Sequence, residues 1–377
     1  PYLSFLTETF IIPKHAFDGV DDPNEAPFNK NPIGTGPFRL VNRVPGDHIE
    51  LGANAGYFDE GPHVETLVFK YIPDLTVLYS QFKSGDIDLI GLQYISPDNY
   101  EDAKKIPNRE TILSPSPNVE SIYLNVERPQ FREKAVRQAI YAAIDKQSII
   151  DQIYYGIPTP SETYMPQGTF YTHPDLPKQV FDLDHARQLL DDAGWVPGAD
   201  GIREKDGVRL SFTNSTTAGN HLREQAQQFM QQTLAEVGIE MKIDNLPAAV
   251  IWGDYWVQSQ FDSVLVGIAF RVGGDPDASN RLSSDATPAK GGKGSNFGQF
   301  ANDEVDALLE EGARTYDPDE RQRIYFRIQE IVRDELQMLP IYNDNRVWGW
   351  KAGLVGVTPN LNTRIESWNT GQWYWTD

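Results

Sequence analysis

Residues 118–156 of this 377-residue chain, NVESIYLNVERPQFREKAVRQAIYAAIDKQSIIDQIYYG, decide how the middle of the protein is built. Polar and apolar side chains alternate over residues 121–127, which predicts a half-buried strand that ends before Pro129. Apolar side chains then recur on one helix face, at Val136, Ala139, Ile140, Ala143 and Ile144. Asp145 is suited to cap a second helix and Gly156 to end it. A strand that leads directly into two helices is typical of a connection between two domains.

The composition narrows the classes of partner. The net charge is −21, from 54 acidic and 33 basic residues, so we expect no nucleic-acid partner. There is no cysteine, which excludes disulfides, thiolate catalysis and Cys-zinc sites. No apolar run approaches the ~18 residues that a membrane span needs, so direct membrane insertion is not expected. The length allows two or three domains with sizeable cores.

The residues before this segment carry alternating strand and helix patterns. Residues 65–72 and 87–92 read as strands, and between them Asp74 and Gly85 bound an amphipathic helix. This spacing predicts a parallel strand–helix–strand crossover.

The residues after it continue the α/β pattern. Residues 220–237 predict a long helix, and residues 263–270 are almost all apolar, which predicts a strand buried on both faces. Asp317, Pro318 and Glu320 form a capping box that opens another helix. Residues 339–348 read as a second strand between domains. The predicted fold class is therefore α/β.

Four segments, in order, resemble the peptide/nickel-binding family of ABC-transporter solute-binding proteins, known as extracellular solute-binding proteins, family 5. The central segment reads YLNVERPQF…AVRQAIYAAIDKQSII and begins at Tyr123. The others are residues 32–40 (PIGTGPFRL), residues 181–210 (FDLDHARQLLDDAGWVPGADGIREKDGVRL), and residues 296–309 (NFGQFANDEVDALL) followed by a segment at 318–340.

The resemblance implies a periplasmic-binding-protein-like fold of two lobes joined by a crossed two-strand hinge. The expected domains are a remnant of lobe I at 1–118, a complete lobe II at 119–344 and a return to lobe I at 345–377. Only about 33 residues precede the GTGP turn, so we expect an N-terminally truncated chain with an incomplete first lobe and no signal peptide.

The implied function is that of the extracytoplasmic binding component of an ABC importer. Such a protein closes its lobes on a peptide or similar small organic solute, with opine-like or oligosaccharide-like compounds as alternatives, and delivers it to the membrane permease. We expect a periplasmic or extracellular monomer that meets the membrane through its transporter. No cofactor is expected.

The loop at residues 270–282, FRVGGDPDASNRL, follows the predicted buried strand, where α/β proteins collect ligands. Asp275 and Asp277 are candidate ligand or metal contacts, although an Asx-turn and helix cap is the favoured explanation of the same residues. Peptide-binding relatives place an acid upstream of the Asp-Pro pair, to hold the ligand's α-amine. This chain has Phe270 and Arg271 there instead. Both are candidate contacts, and the arginine favours a carboxylate, phosphate or hydroxyl over an ammonium group.

Further candidate contacts come from strand ends and from the resemblance. Gln93 and Tyr94 follow the predicted strand at 87–92, and Tyr123 and Asn125 lie on the first connection between domains. Asn296 matches a recurrent asparagine of the family.

No residue is assigned a catalytic or metal-binding role. The six histidines are scattered, without an HxxxH pair on a helix, and no G-x-S-x-G nucleophile motif occurs. An extracytoplasmic carbohydrate-active hydrolase with a carboxylate pair is the alternative from another class, because separated acids can meet in a fold. A receptor-type sensor with the same fold is a third possibility.

Overall fold

The computed structural model describes residues 9–269, 275–360 and 367–376, with the side chains of residues 91–93 left out. The strands are β1 Phe38–Val44, β2 His48–Ala53, β3 Thr66–Lys70, β4 Leu89–Ile95, β5 Arg109–Leu124, β6 Thr159–Pro160, β7 Val196–Pro197, β8 Arg203–Lys205, β9 Val208–Arg209, β10 Ser211–Ser215, β11 Glu240–Ile243, β12 Ser263–Ile268, β13 Met338–Lys351, β14 Leu354–Val355 and β15 Tyr374–Trp375.

The α-helices are distributed among these strands along the chain. They are α1 Leu75–Ser84, α2 Tyr100–Ala103, α3 Lys134–Ala142, α4 Lys146–Ser148, α5 Leu183–Asp192, α6 His221–Ala235, α7 Ala248–Val250, α8 Ser279–Leu282, α9 Asp303–Arg314 and α10 Pro318–Glu335. A π-helical turn continues α4 (Ile149–Ile153) and another continues α7 (Ile251–Tyr255). The mixture of elements confirms the predicted α/β class.

Contacts divide the chain into two compact units. The larger unit holds residues 115–345, and the smaller unit holds residues 2–114 and 346–377. The strands β5 and β13 each continue from one unit into the other. The chain therefore passes between the units twice, once in each of two long strands.

The larger unit is built on a mixed sheet with the strand order β11-β10-β12-β5-β13, and β6 also pairs with β13. β10 runs parallel to β11 and to β12, whereas β5 runs antiparallel to β12. Residues 119 to 124 of β5 are all buried, so this strand is covered on both faces and the half-buried prediction is wrong. Two apolar cores provide the cover. Ile122 and Leu265 belong to the first core, with α3, α5 and α6, while Tyr123 and Val264 belong to the second, with α9 and α10.

The helices after β5 follow the sequence closely. Val136, Ala139 and Ile140 are buried on one face of α3, as predicted. The Asp145 carboxylate accepts a hydrogen bond from the Ser148 N–H at 2.9 Å and caps α4. After the π-helical turn, Gly156 adopts a positive φ of 67°, so the predicted left-handed end is also present.

Replacement of Asp145 by alanine removes this cap, because the methyl group cannot accept the Ser148 N–H or its hydroxyl. We expect the free energy of unfolding to fall by about 1 kcal/mol, measured by urea titration. Asp151→Ala is the matched control, since Asp151 is an exposed residue that bonds only to Gln147 among the described contacts. An equal loss in both variants would contradict the capping role.

The smaller unit contains a three-stranded antiparallel sheet, in the order β1-β2-β3. Asp74 caps α1 by accepting from Thr76 and Val77, and Gly85 ends the helix with a φ of 97°. The strands on either side of α1 join different partners, however. β3 pairs with β2, whereas β4 pairs antiparallel with β13. The predicted parallel crossover is therefore wrong, because the two strands do not share a sheet pairing.

Candidate functional site

The carboxyl end of β12 is the natural place for a ligand in the larger unit, because parallel strands present open loops and polar groups there. Glu120 of β5 lies opposite Gly267, near this end of β12. Its carboxylate is only 4% exposed in the folded chain. It accepts two hydrogen bonds from Arg223 of α6, at 2.6 and 2.9 Å. The carboxyl end of β12 therefore carries a buried but electrically compensated ion pair.

Gly267 makes room for this ion pair. A Cβ atom at position 267 would lie 2.7 Å from the Glu120 carboxylate and 3.6 Å from the Arg223 guanidinium. A glycine inside a buried strand is explained by such a close approach. The absence of a side chain at Gly267 thus allows the Glu120–Arg223 pair to pack against β12.

Asp275, the first described residue after the gap at 270–274, is held by another arginine. Its carboxylate is 4% exposed and accepts from the Arg321 guanidinium at 2.9 Å. Arg321 also donates to the Gly312 carbonyl at 2.9 Å. Burial raises the pKa of the Asp275 carboxyl, but the hydrogen bonds from Arg321 and from the Asp277 N–H outweigh it, so the pKa lies below its usual range. Asp275 is ionised and committed to internal partners.

Asp277 forms the local turn that the sequence offered as an alternative. Its Oδ1 accepts from the backbone N–H of Ser279 at 3.0 Å and from the Ser279 hydroxyl at 2.6 Å. These are the contacts of an Asx-turn that leads into α8. The local geometry explains both aspartates without a ligand.

Tyr123 and Asn125 lie at the other end of the sheet. Because β5 is antiparallel to β12, Tyr123 is opposite Val264, near the amino end of β12. The Asn125 amide, 2% exposed, donates to the carbonyls of Ser259 and Phe261. Its Oδ1 accepts from the Glu127 N–H and from Gln299. The structure therefore does not bring these two residues together with the carboxyl end of β12.

Asn296 also holds a loop. Its amide donates to the carbonyls of Ser283 and Phe300, and its Oδ1 accepts from the Phe300 N–H at 3.0 Å. The side chain is 2% exposed. The polar atoms of this side chain are therefore bonded to its own loop.

Two predicted contacts belong to β4 in the smaller unit. Gln93 and Tyr94 lie inside this strand and not after it, because β4 runs from Leu89 to Ile95. The Tyr94 ring is half-buried, and the Arg346 guanidinium lies 5.6 Å from the ring centroid. Only the backbone of Gln93 is described, and Phe270 and Arg271 lie outside the described residues.

Asn343 was missed by the sequence analysis. It lies on β13 in the segment LPIYN, with a side chain that is 5% exposed. Neither its Oδ1 nor its Nδ2 has a hydrogen-bond partner among the described residues. The sequence signal for it was a single asparagine after the apolar residues of the predicted strand, because buried amide groups in proteins normally have hydrogen-bond partners.

The described residues contain neither a membrane-spanning helix nor a cluster of metal ligands. No helix in this part of the chain has both the length and the apolar character needed to cross a bilayer. Within the same ranges, no three His, Asp or Glu side chains meet in a group able to hold a metal ion.

Known structures resemble the whole of this fold. The oligopeptide-binding protein AppA from Bacillus subtilis, solved in complex with a nonapeptide, has a TM-score of 0.91 and 27% identity, over 100% of this chain and 74% of that chain. NikZ from Campylobacter jejuni, solved in complex with Ni(L-His), has a TM-score of 0.87 and 25% identity, over 96% of this chain and 72% of the other. These likenesses confirm the predicted two-lobed binding-protein fold.

The sequence relatives are longer than this chain. Protein XP55 of Streptomyces lividans is 30% identical over 88% of the chain, which covers 59% of that protein. AppA of Bacillus subtilis is 29% identical over 99% of the chain, which covers 68% of AppA. The family model described as bacterial extracellular solute-binding proteins, family 5 Middle, matches residues 1–290, more than three quarters of the sequence. The chain thus belongs to the bacterial extracellular solute-binding proteins of family 5.

Proposed function

We propose that the full-length protein is the solute-binding component of an ABC importer and works outside the cytoplasm. It binds a peptide or a similar small organic solute, closes around it by hinge motion and hands it to the permease, through which it meets the membrane. The observation that carries this proposal is the likeness to AppA, a structure solved with a bound nonapeptide, over the whole of this chain.

The mechanism requires no bond to be made or broken. A solute that interacts more favourably with the closed form than with the open form shifts the population toward closure by that difference in free energy. The relatives named above with a known ligand are binding proteins and not hydrolases. This supports a non-catalytic role over the hydrolase alternative.

The predicted contacts divide into two groups within this proposal. The proposed ligand contacts are Phe270, Arg271, Gln93 and Tyr94. Supporting roles, which hold loops and strand ends in place, are favoured by the geometry for Asp275, Asp277, Asn125, Asn296 and Tyr123. Because Arg271 stands where peptide-binding relatives have an acid, the preferred solute is not a simple dipeptide with a free amine.

A calorimetric panel with the full-length protein tests this function. The probes are alanyl-alanine, an alanine–glycine nonapeptide, maltotriose and the nickel complex of L-histidine. We expect the nonapeptide or maltotriose to bind 1:1 with a Kd below about 10 µM, and alanyl-alanine at least about 10-fold more weakly. Native mass spectrometry should recover the bound probe unchanged after prolonged incubation.

The contrary results are equally clear. Cleavage of the nonapeptide or of maltotriose would contradict the binding role and support the hydrolase alternative. Binding of none of the four probes would contradict the proposed solute classes. Tightest binding of alanyl-alanine would contradict the argument from Arg271.

A further inference from the structure

Asn343 has a buried amide group with no hydrogen-bond partner among the described residues. Both polar atoms of the side chain are buried, and neither is bonded within the described part of the chain. The strand around it is well held. Asn343 pairs with Thr159 of β6, the rings of Tyr342 and Tyr154 lie 4.8 Å apart, and Asn345 donates to the Ile157 carbonyl at 2.8 Å. A poorly fixed backbone is therefore not the reason for the missing bonds.

An unbonded amide in this position is expensive. Each buried polar group left without a partner costs about 1–3 kcal/mol, whereas an apolar side chain of the same shape avoids this loss. Most buried polar groups in folded proteins are bonded to protein or to water. A rigid strand with an unsatisfied amide is thus suited to bind something that supplies both a donor and an acceptor.

The surroundings show where such a group would bind. β5 and β13 are neighbours in the sheet, and the Leu124 N–H donates to the Gln337 carbonyl at 3.1 Å. Leu124 ends β5 and Gln337 directly precedes β13, so the two strands run in opposite directions. Asn118 lies six residues before Leu124, and Asn343 lies six residues after Gln337. The two asparagines are therefore at the same level of the sheet.

Both asparagines adjoin the first core. Alternate residues point to the same side of a strand, so Asn118 shares the side of Ile122 and Leu124, which belong to that core. Next to Asn343 on β13, both Ile341 and Tyr342 belong to it. The Asn118 side chain is partly exposed and has no hydrogen bond among the described residues.

The charges nearby set the chemical class of the ligand group. Glu120 and Arg223, on this side of the sheet, satisfy each other in a two-pronged pair. They therefore leave no net charge to attract an ion. An amide side chain both donates and accepts, which matches a peptide group or a sugar hydroxyl.

We propose that Asn343, with Asn118 at the same level of the sheet, is a ligand contact that hydrogen-bonds a neutral peptide group or hydroxyl of the solute. This inference rests on the proposed binding function and assigns part of its binding site. The ligand group is neutral and has one hydrogen-bond donor and one acceptor. Binding of the nonapeptide would identify it as a peptide group, and binding of maltotriose would identify it as a sugar hydroxyl.

Asn343→Leu in the full-length protein tests the proposal, because leucine keeps the branched shape of asparagine but has no polar atoms. We expect the midpoint of thermal unfolding without ligand to rise by about 2–4 °C, since a buried unsatisfied group is removed. The affinity for the tighter of the two probes, nonapeptide or maltotriose, should fall at least about 10-fold by calorimetry. Stability and affinity thus move in opposite directions.

Asn214→Leu is the matched control. Asn214 is also fully buried, but its amide donates to the Ser263 hydroxyl at 2.9 Å and accepts from Gln227 at 2.8 Å. Its replacement should lower the midpoint of thermal unfolding. An asparagine with internal partners and one without them are expected to respond oppositely.

Each result decides the question. If Asn343→Leu binds the probe as tightly as the wild type, the amide bonds to an internal water or to nothing, and the proposal is wrong. If Asn343→Leu unfolds at lower temperature, the amide has a structural partner, and the proposal is also wrong. If the wild type binds neither probe, the proposed function is wrong. The titration of the wild type therefore separates this outcome from a failure of the Asn343 contact.

A second measurement avoids dependence on the leucine variant. The side-chain NH₂ signals of Asn343, assigned by loss in Asn343→Asp, should shift in the asparagine-labelled NMR spectrum when the probe is added. Those of Asn214 should stay in place. Equal shifts, or none at Asn343, would contradict the contact.

Discussion

Replacement of Arg321 by methionine is expected to lower the free energy of unfolding of the larger unit by about 3–5 kcal/mol. The guanidinium is the charge partner of Asp275, whose carboxylate is 4% exposed. Removal of the guanidinium takes a charge partner away from a buried carboxylate, which is the costly case for an internal ion pair. The variant also loses the bond to Gly312 and the guanidinium's packing over the rings of Tyr171 and Tyr325. Urea unfolding followed by tryptophan fluorescence measures the loss.

Arg314→Met is the control for this change. Arg314 ends α9, is exposed and contacts Glu310 at 3.4 Å. Its replacement should change the free energy of unfolding by no more than about 0.5 kcal/mol. The double variant Asp275→Leu/Arg321→Met should recover much of the stability, because apolar replacement of a whole buried pair is often neutral. A loss below about 1 kcal/mol in the single variant would show that Asp275 is not held by Arg321.

The second large effect is a dependence of stability on pH that Lys146 introduces. Lys146 is 5% exposed, and its ammonium lies against Glu162, the Ser161 carbonyl and the Tyr141 hydroxyl. Burial lowers the pKa of Lys146 from about 10.5 to about 8, and the attraction of Glu162 opposes this only in part. Arg333, which also bonds to Glu162, disfavours the charged lysine further.

The sign follows from proton binding. Between pH 8 and 10.5 the unfolded chain holds a proton on Lys146 that the folded chain has lost, so stability rises with pH across this window. The contribution is about 3 kcal/mol at its full extent. The Tyr141 hydroxyl stays protonated there, because burial raises its pKa well above the usual range.

The comparison of wild type with Lys146→Met isolates this contribution. The wild type should gain stability relative to the variant between pH 7.5 and pH 10, in urea titrations at each pH. Lys134→Met is the control, since hydrogen bonding to Asp334 raises the pKa of Lys134 and it does not titrate in this range. If the difference in unfolding free energy between the wild type and Lys146→Met does not change with pH, the pKa of Lys146 is not lowered.

Local signals in the sequence predicted the elements well, because their causes lie within a few residues. Asp74, Asp145 and Asp317 each accept a backbone N–H two or three residues ahead, and Gly85 and Gly156 need only their own backbone freedom. The family signature added the two-lobed fold and its two connecting strands.

Pairing across the chain could not be predicted in the same way. The apolar patterns of β3 and β4 are alike, yet the partner of β4 is β13, more than 240 residues later. Tyr123 and Asn125 were candidate ligand contacts on the first connection between domains, but the direction of β5 against β12 places them near the amino end of β12. Arg321 is 46 residues from the aspartate that it neutralises. Such contacts depend on strand direction and helix docking, which short patterns do not encode.

The double passage through β5 and β13 makes residues 115–345 an insertion into the smaller unit. Its entry and exit strands are neighbours in one sheet, so the inserted polypeptide has adjacent ends and its own two cores. Adjacent ends are what circular permutation and domain grafting require. We therefore expect residues 115–345 to be exchangeable between family members as one piece, joined at 115 and 345.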